Sequence, residues 1–188
     1  MNNAVLDAIR DRRSIRGYLQ TQLTDAQLRA ILDAALQAPS ARNTQPWHFS
    51  VVQDAALIRA FEDDYLRIVC EKLPEGQRGR AEDPLFRLFY GAPTVVFIST
   101  PTQPPTAFSA VDCGIAVENM ALAAHALGLG SVIVGMARDV FLSERADHYR
   151  RALQFPDGFD FSIAISLGTP GMTKAAHPIH DGLISYVR

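Results

Sequence analysis

A nearly uninterrupted run of small and apolar residues, Phe108 to Leu127, constrains the fold of this chain more than any other segment. Its length and composition predict a long α-helix that is apolar on every side. Such a helix either lies buried at the centre of a fold or has faces that meet a second subunit. Asp112, Glu118 and His125 interrupt the run, so no membrane span is expected.

The composition is that of a folded protein of ordinary size. The 188 residues predict one domain, residues 1–188, with a core that needs no disulfide or structural metal. A net charge of −2 gives no general attraction to nucleic acid. Cys70 and Cys113 are far apart, which fits a reducing cytoplasm better than a disulfide framework or a zinc site. The charged N-terminus lacks the apolar core of a signal peptide.

Helices and strands are expected to alternate along the chain, without an internal repeat. The first helix has one apolar face, formed by Val5, Leu6 and Ile9. Thr24 and Gln27 form a capping-box pattern that begins a second helix, and Pro39 ends it. The remaining elements follow from apolar periodicity and turn residues. We expect helices at 55–72, 108–127 and 139–153, strands at 47–52, 94–99, 131–135 and 161–167, and a proline-marked loop at 101–105.

Three guanidinium groups and a hydroxyl lie within five residues, Arg12 to Arg16, where the first helix ends. Arginine is planar, permanently charged and able to bond two oxygens at once, so this cluster suits a phosphate group. Cations also favour the negative end of a helix dipole, which explains part of the charge but not Arg16. Taken alone, the cluster could equally be the basic, solvent-exposed end of a helix with no ligand.

A second polar segment, Pro39 to Trp47, reads PSARNTQPW. Together the two segments resemble the nitroreductase-like flavoprotein family, in which Arg-Arg-Ser-(Ile/Val)-Arg and Pro-Ser-x-x-Asn-x-Gln-Pro-Trp surround one FMN. The resemblance continues through Asp112 to Ala124, the Gly-Leu-Gly-Ser turn at 128–131 and Gly168 to Pro170. It implies an α+β, nitroreductase-like fold with a mixed central β-sheet flanked by helices. It also implies a domain-entwined homodimer with FMN at the interface.

The resemblance assigns cofactor-binding roles to residues of both segments. Arg12 and Arg13 are expected to hold phosphate and ribityl oxygens, and Ser14 adds a hydroxyl contact. Arg16 is expected nearest the N1–O2 edge of the flavin, where reduction leaves negative charge. The second segment contributes Pro39, Ser40, Asn43 and Gln45. The two amide side chains carry the donors and acceptors that match the edge of a flavin pyrimidine, although Ser14 and Ser40 are also ordinary turn or cap residues.

The glycines near residue 130 invite a dinucleotide-binding interpretation, which the sequence excludes. A helix precedes Gly128 and a strand follows Gly130, the reverse of the order that this motif requires. Gly128 is expected to cap the helix C-terminus. In the family that the chain resembles, Val134 and Gly135 present backbone N–H groups towards flavin N5, because glycine lets the backbone approach a flat ring. A plain strand-end turn is the alternative.

The C-terminal region holds two further candidates. In the family, a Lys and then an Arg from this region bond the flavin phosphate. Lys174 fits the first place, and His177 stands where Arg is usual. An imidazole is mostly neutral at pH 7, so the departure weakens this contact. Metal binding by His177 and His180 is disfavoured because Pro178 prevents a regular helix, and no metal site is expected. His125 is taken as a packing or surface residue.

The implied activity is that of an FMN-dependent oxidoreductase. NADH or NADPH is the co-substrate, and a nitroaromatic, a quinone or a similar small molecule is the electron acceptor in a ping-pong hydride mechanism. No side chain is nominated as a catalytic acid. Residues 73–87, with Phe86 and Phe89, are expected to form a lid over the acceptor. The alternatives are other flavin chemistry on the same fold (reductive dehalogenation, flavin fragmentation or heterocycle oxidation) and a non-catalytic flavin-binding protein.

Overall fold

A computed structural model describes residues 3–103 and 108–188. Within these ranges the chain forms six α-helices and four β-strands. In chain order these are α1 (Ala4–Asp11), α2 (Asp25–Leu36), β1 (His48–Val52), α3 (Ala55–Lys72), β2 (Thr94–Pro101), α4 (Ser109–Ala126), β3 (Gly130–Val134), α5 (Arg138–Phe141), α6 (Ala146–Ala152) and β4 (Phe159–Gly168). Single 3-10 turns lie at Ala41–Asn43, Gly79–Glu82 and Asp181–Leu183.

The four strands form one sheet in the order β1-β2-β4-β3, and every pairing between them is antiparallel. A parallel bridge joins Ser14 to Ser131 at the outer edge of β3. Among the described residues the sheet itself is therefore antiparallel and not mixed as expected, and this isolated bridge is the parallel pairing beside it. The arginine-rich segment that follows α1 is consequently part of the sheet edge and not a free loop.

Helices cover both faces of the sheet. On one face, the long apolar α4 packs against Val96, Ile98, Ile165 and Leu167, and α2 packs against α4. On the other, α3, α5 and α6 enclose an aromatic cluster centred on Phe61, whose ring lies 4.5–5.8 Å from four other aromatic rings. The resulting helix–sheet–helix layering buries most apolar residues of the central strands β2 and β4, whereas Ile133 on the edge strand β3 is 38% exposed.

Local sequence signals set most element boundaries, and two expectations need correction. The segment 139–153 is two helices, because Ser143 Oγ donates to Val140 O (2.7 Å) and accepts from Arg145 N (3.1 Å), which ends α5 and begins α6. Phe86 and Phe89 are 7% and 0% exposed, so they belong to the core and not to a lid. Of the loop predicted at 101–105, Pro101 is the last residue of β2, and residues 104 and 105 lie outside the described residues.

The first helix has the expected apolar face, but that face is not buried. Val5, Leu6 and Ile9 are 65%, 53% and 54% exposed, and no residue of α1 is buried. Asn3 Oδ1 caps the helix by accepting from the N–H groups of Val5 and Leu6. An amphipathic helix with its apolar side in water is costly for a monomer, since exposed apolar area forgoes the burial that stabilises a fold.

Candidate functional site

The arginine-rich segment is held against the sheet by its backbone and by Tyr18. Ile15 N–H donates to Ser131 O (2.9 Å), and the Tyr18 hydroxyl donates to Ile15 O (2.8 Å). Two glycines make room for this contact. A Cβ on Gly130 would lie 3.0 Å from Ile15, and one on Gly168 would lie 2.9 Å from the Tyr18 ring. The two glycines pair with each other in the sheet, so both must lack side chains for the segment to lie this close.

A cavity of about 320 Å³, here called the cationic cavity, lies between this segment, the end of α4 and the chain after β4. Arg12, Arg13, His125 and Lys174 are its positively charged or potentially charged lining residues, and the backbone of Gly128 to Ser131 completes one wall. The structure thus brings together three of the site residues expected from the sequence, although Lys174 is about 160 positions from the arginines. Ser14 lies next to them, paired with Ser131.

The two arginines of the cationic cavity are held differently. Arg12 Nε lies 3.2 Å from Glu118 Oε1 on α4, yet it is buried and makes no well-aligned hydrogen bond within the described residues. Arg13 Nη1 donates to the carbonyl oxygens of Arg10 (2.6 Å) and Arg12 (2.7 Å) at the end of α1. Arg13 therefore caps a helix as well as lining the cavity, whereas Arg12 has donor capacity to spare.

One carboxylate also lines the cationic cavity. Asp11 accepts from Arg10 Nε (2.9 Å) and Nη2 (2.8 Å). These hydrogen bonds lower the pKa of Asp11, and the charge of Arg10 adds to the effect. Because Arg10 neutralises Asp11 from outside the cavity, the cations inside remain available for an anionic ligand.

His125 is the site residue that the sequence interpretation missed. It lies in the last turn of α4, three residues before Gly128, whose N–H donates to His125 O (2.9 Å). Gly128 has φ +74°, which confirms the predicted glycine cap and turns the chain into β3. A histidine at a helix C-terminus ahead of a Gly-Leu-Gly turn is the signal that would have placed it here. His177, by contrast, is exposed outside the cavity, with Nδ1 2.9 Å from Pro178 O.

Arg16 lines a different, neighbouring cavity of about 470 Å³ with Arg80, Arg87 and Tyr90. Its Nε is also buried without a hydrogen-bond partner in the described chain. Val134 is buried at 2% exposure, while Gly135, just after β3, is exposed. A Cβ on Gly135 would lie 3.7 Å from Ile163, so the protein itself does not require glycine there.

The second polar segment is strained and points outward. Arg42, Asn43 and Gln45 all have φ between +47° and +55°, a region that side chains other than glycine enter rarely and at a cost. Ser40 Oγ accepts from Gln45 N (2.9 Å), and Gln45 Nε2 donates to Asn43 Oδ1 (3.3 Å). Pro39, Asn43 and Gln45 are exposed, so the amide side chains of Asn43 and Gln45 are accessible to a ligand or to another chain.

The two predicted motifs do not meet within one chain. The second segment is attached to the N-terminal end of α4, where Ala41 N donates to Asp112 Oδ1 (3.1 Å). The cationic cavity lies at the other end, near His125. At 1.5 Å rise per residue, Asp112 and His125 are separated by about 20 Å along α4. Pro39, Ser40, Asn43 and Gln45 are therefore separated from Arg12, Arg13 and Lys174 in the single chain.

Other kinds of site are not evident in the part of the chain that the structure describes. No group of three or more metal-ligating side chains is found in it. Cys70 and Cys113 are both free. Among residues 3–103 and 108–188, none of the helices has both the length and the apolar character needed to cross a bilayer.

The chain is similar to known proteins over nearly its whole length. A nitroreductase with bound FMN from Desulfitobacterium hafniense DCB-2 is 34% identical, with a TM-score of 0.93 over 100% of both chains. A nitroreductase with bound FMN from Bacteroides fragilis is 28% identical, with a TM-score of 0.90 over 100% of both chains. A Methanothermobacter thermautotrophicus protein, provisionally named NADH dehydrogenase/NAD(P)H nitroreductase, is 33% identical over 180 residues, 94% of this chain and 83% of that protein. Residues 9–169 match the Nitroreductase family model, and the chain belongs to that family.

Proposed function

We propose that this protein is an FMN-dependent oxidoreductase that uses NADH or NADPH to reduce nitroaromatic, quinone or similar acceptors. The cationic cavity is the observation that carries the proposal, because it gathers guanidinium, ammonium and imidazole groups around a space of phosphate-binding character. Its membership of the nitroreductase family and its similarity to FMN-bound nitroreductases support the choice of cofactor. Bound FMN would supply hydride acceptance from the nicotinamide and electron transfer to the acceptor.

The residues of the cavity fit the phosphate end of FMN. Arg12 has a buried Nε without a well-aligned acceptor, which is the kind of donor that a phosphate oxygen satisfies. Lys174 is exposed at the cavity mouth and adds a second full charge. The imidazole group that contacts the phosphate comes from His125 and not from His177. Ser14 and Arg13 complete the set proposed for the phosphate and ribityl oxygens.

Arg16 and the end of β3 are proposed for the flavin ring. The buried, unpartnered Nε of Arg16 is available to a ring carbonyl oxygen, and the positive charge favours the reduced flavin. Gly135 is exposed, and no neighbouring protein atom requires it to lack a side chain. A flat ligand that lies against the backbone of Val134 and Gly135 would explain why residue 135 is a glycine, because a side chain there would keep the ring away from the backbone.

A homodimer would complete the site. Because the second polar segment lies about 20 Å from the cationic cavity along α4, we propose that another copy of the chain supplies the amides of Asn43 and Gln45 to the flavin. The exposed apolar face of α1 provides a surface for such a copy. If each site needs both chains, heterodimers of Arg12→Ala and Asn43→Ala subunits recover one intact site. FMN content above that of either parent homodimer is the expected result; no recovery argues against a shared site.

The function is tested by FMN titration followed by anaerobic reduction. The purified protein is expected to bind FMN at micromolar levels and to be bleached by NADH or NADPH. Steady-state rates with a nitroarene or quinone should give the parallel reciprocal plots of a ping-pong mechanism. Arg12→Ala should weaken FMN binding, whereas Arg29→Ala, which removes an exposed ion pair with Asp33 on α2, should not.

Three outcomes would redirect the proposal. Failure to bind FMN at micromolar levels contradicts it altogether. A protein that binds FMN but is not reduced by either nicotinamide is a flavin-binding protein. A reducible flavin that transfers no electrons to nitroarenes or quinones favours other flavin chemistry, such as reductive dehalogenation, flavin fragmentation or heterocycle oxidation.

A further inference from the structure

The cavity that contains Arg16 has an unusual lining. It encloses about 470 Å³ and is bordered by three arginines, Arg16, Arg80 and Arg87, together with the ring of Tyr90. One carboxylate, Asp83, also borders it. We call this space the arginine cavity. Its lining therefore carries more positive than negative charge.

The three arginines have no carboxylate partners among the described side chains. Elsewhere in the structure Arg10, Arg12, Arg29, Arg67, Arg145 and Arg150 each lie within 4.0 Å of an Asp or Glu oxygen. In the arginine cavity, Arg80 Nη1 instead donates to the Tyr90 hydroxyl (2.9 Å) and Arg87 Nη1 to Phe86 O (2.9 Å).

Asp83 forms no ion pair with these arginines among the described side chains, and its Oδ1 accepts from Leu85 N (2.9 Å) in a local turn. Glu62 lines another cavity together with Arg87, does not line the arginine cavity, and accepts from Phe89 N (2.8 Å). Burial raises the pKa of Glu62, and that hydrogen bond and the charge of Arg87 only partly offset the rise. The positive charge facing the cavity therefore remains available to a ligand.

Tyr90 is held in place at an energetic cost. Its φ is +57°, a strained value for a bulky residue. In this conformation the guanidinium groups of Arg16 and Arg80 lie 5.7 Å and 5.8 Å from the ring centroid. Strain of this kind persists where the surrounding structure requires a particular side-chain position. The result is an aromatic ring flanked by cations at the edge of an open cavity.

The arginine cavity borders the proposed cofactor site. Arg12 lines the cationic cavity and Arg16 lines the arginine cavity, and an extended chain spans at most about 14 Å between them. A ligand in the arginine cavity can therefore reach a flavin whose phosphate lies at Arg12.

We propose that the arginine cavity is the substrate subsite and that it selects flat, ring-bearing substrates that carry an anionic oxygen group. This inference rests on the proposed function. The ring would lie against Tyr90, and the anionic group would accept hydrogen bonds from Arg80 and Arg87. A carboxylate on an aromatic acceptor and the 2′-phosphate of NADPH share this chemistry, and the experiment separates them.

The test compares matched substrates in wild-type and Arg80→Gln holoenzyme. One pair of acceptors is 4-nitrobenzoate and neutral 4-nitrobenzyl alcohol, and one pair of reductants is NADPH and NADH. Loss of a charge-assisted hydrogen bond predicts about a tenfold fall in kcat/KM for the anionic member of one pair. The neutral member should change less than about twofold. Arg80→Lys should restore much of the anionic preference.

Two further variants control for indirect effects. Arg87→Gln should reproduce the fall in kcat/KM for the anionic substrate. Because this variant removes no hydrogen bond to Tyr90, it excludes displacement of the Tyr90 ring as the cause. Arg151→Gln on α6 removes an exposed charge outside the arginine cavity and should leave both pairs unchanged. Titration calorimetry with benzoate and benzyl alcohol measures the same preference without turnover.

Each outcome decides the inference. A loss confined to 4-nitrobenzoate assigns the cavity to the acceptor, and a loss confined to NADPH assigns it to the nucleotide phosphate. Equal losses within both pairs, or none, overturn the anion selectivity. If FMN is bound and reduced but benzoate binds no better than benzyl alcohol, this inference fails while the proposed function stands. If FMN is not bound, the proposed function fails, and the calorimetry still tests the cavity.

Discussion

Replacing Gly168 by alanine tests how tightly the arginine-rich segment is clamped to the sheet. A Cβ at this position would lie 2.8 Å from Pro93 Cδ and 2.9 Å from Tyr18 Cδ1. Carbon atoms in good contact are about 3.5–4.0 Å apart, so these rings must move by roughly 0.6 Å or more. Neither is free to move. Pro93 is rigid and leads into β2, and the Tyr18 hydroxyl is bonded to Ile15 O at 2.8 Å.

Overpacking of this kind costs typically 1–3 kcal/mol. For a chain of this length each kcal/mol lowers Tm by about 2–4 °C. A cost in the middle of that range, about 2 kcal/mol, should therefore lower the Tm of Gly168→Ala by about 4–8 °C. Tyr18 positions Ile15, and Ile15 lies between Arg12 and Arg16. FMN binding should therefore weaken as well. If one charge-assisted hydrogen bond to FMN becomes weaker by about 1 kcal/mol, the Kd for FMN rises about fivefold.

The assay is thermal unfolding of the FMN-free protein, with an FMN fluorescence titration alongside. Gly135→Ala is the matched control for the thermal unfolding of the FMN-free protein, since its Cβ would meet Ile163 at an ordinary 3.7 Å. That variant should keep the wild-type Tm within about 1 °C. If Gly168→Ala has the Tm of the wild type and binds FMN with the same Kd, the arginine-rich segment is not held against the sheet as described. The reasoning from Gly130 and Gly168 is then refuted.

Three further predictions concern single side chains. Lys174→Ala should raise the Kd for FMN about tenfold, whereas His177→Ala should change it less than about twofold, in the same fluorescence titration; equal effects would contradict the assignment of the cavity. Gly135→Ala should weaken FMN binding while sparing the stability of the FMN-free protein, and unchanged binding would leave the strand-end turn as the simpler explanation. Asp64→Asn should cost about 2 kcal/mol at pH 7 in urea unfolding, and progressively less as the pH falls below the unfolded value near 4 and through the lower folded pKa; a cost independent of pH would show that the charge of Asp64 is unimportant.

The sign of the Asp64 prediction follows from its surroundings. Burial alone would raise the pKa of Asp64, but hydrogen bonds from Tyr149, Arg145 and Arg67 outweigh burial and lower it. A carboxylate whose pKa is lower in the folded than in the unfolded protein stabilises the fold above the unfolded value, near 4. That stabilisation disappears as the pH falls through the folded pKa.

Local sequence signals were sufficient for much of the secondary structure. The helix expected at 55–72 is α3, Ala55–Lys72. The Thr24–Gln27 capping box is present in full, and the glycine cap at Gly128 has the expected positive φ. These features depend on residues within a few positions of one another, so the chain itself specifies them. The helix predicted at 139–153 was wrong because the two hydrogen bonds of Ser143 outweighed an apolar periodicity.

The candidate site could be predicted only in part from the sequence, because its residues come from distant parts of the chain. The arginine-rich motif predicts a phosphate-binding segment, but not that His125 would join it, since that depends on where α4 ends in space. Phe86 and Phe89 follow a charged loop, yet the aromatic cluster around Phe61 draws them into the core. Periodicity cannot distinguish an aromatic residue of a lid from one of a core, because both need only be apolar.

The sequence by itself determined the identity of the chemical groups: guanidinium groups at the end of a helix, amides in a polar segment after Pro39, and a long apolar helix further along the chain. The tertiary structure decided which of these groups share a cavity. Its long central helix holds the two motifs about 20 Å apart within one chain. It also turns Arg16 away from Arg12 into a second, arginine-lined space. Such distances are set by packing between residues far apart in the chain, which local patterns do not encode.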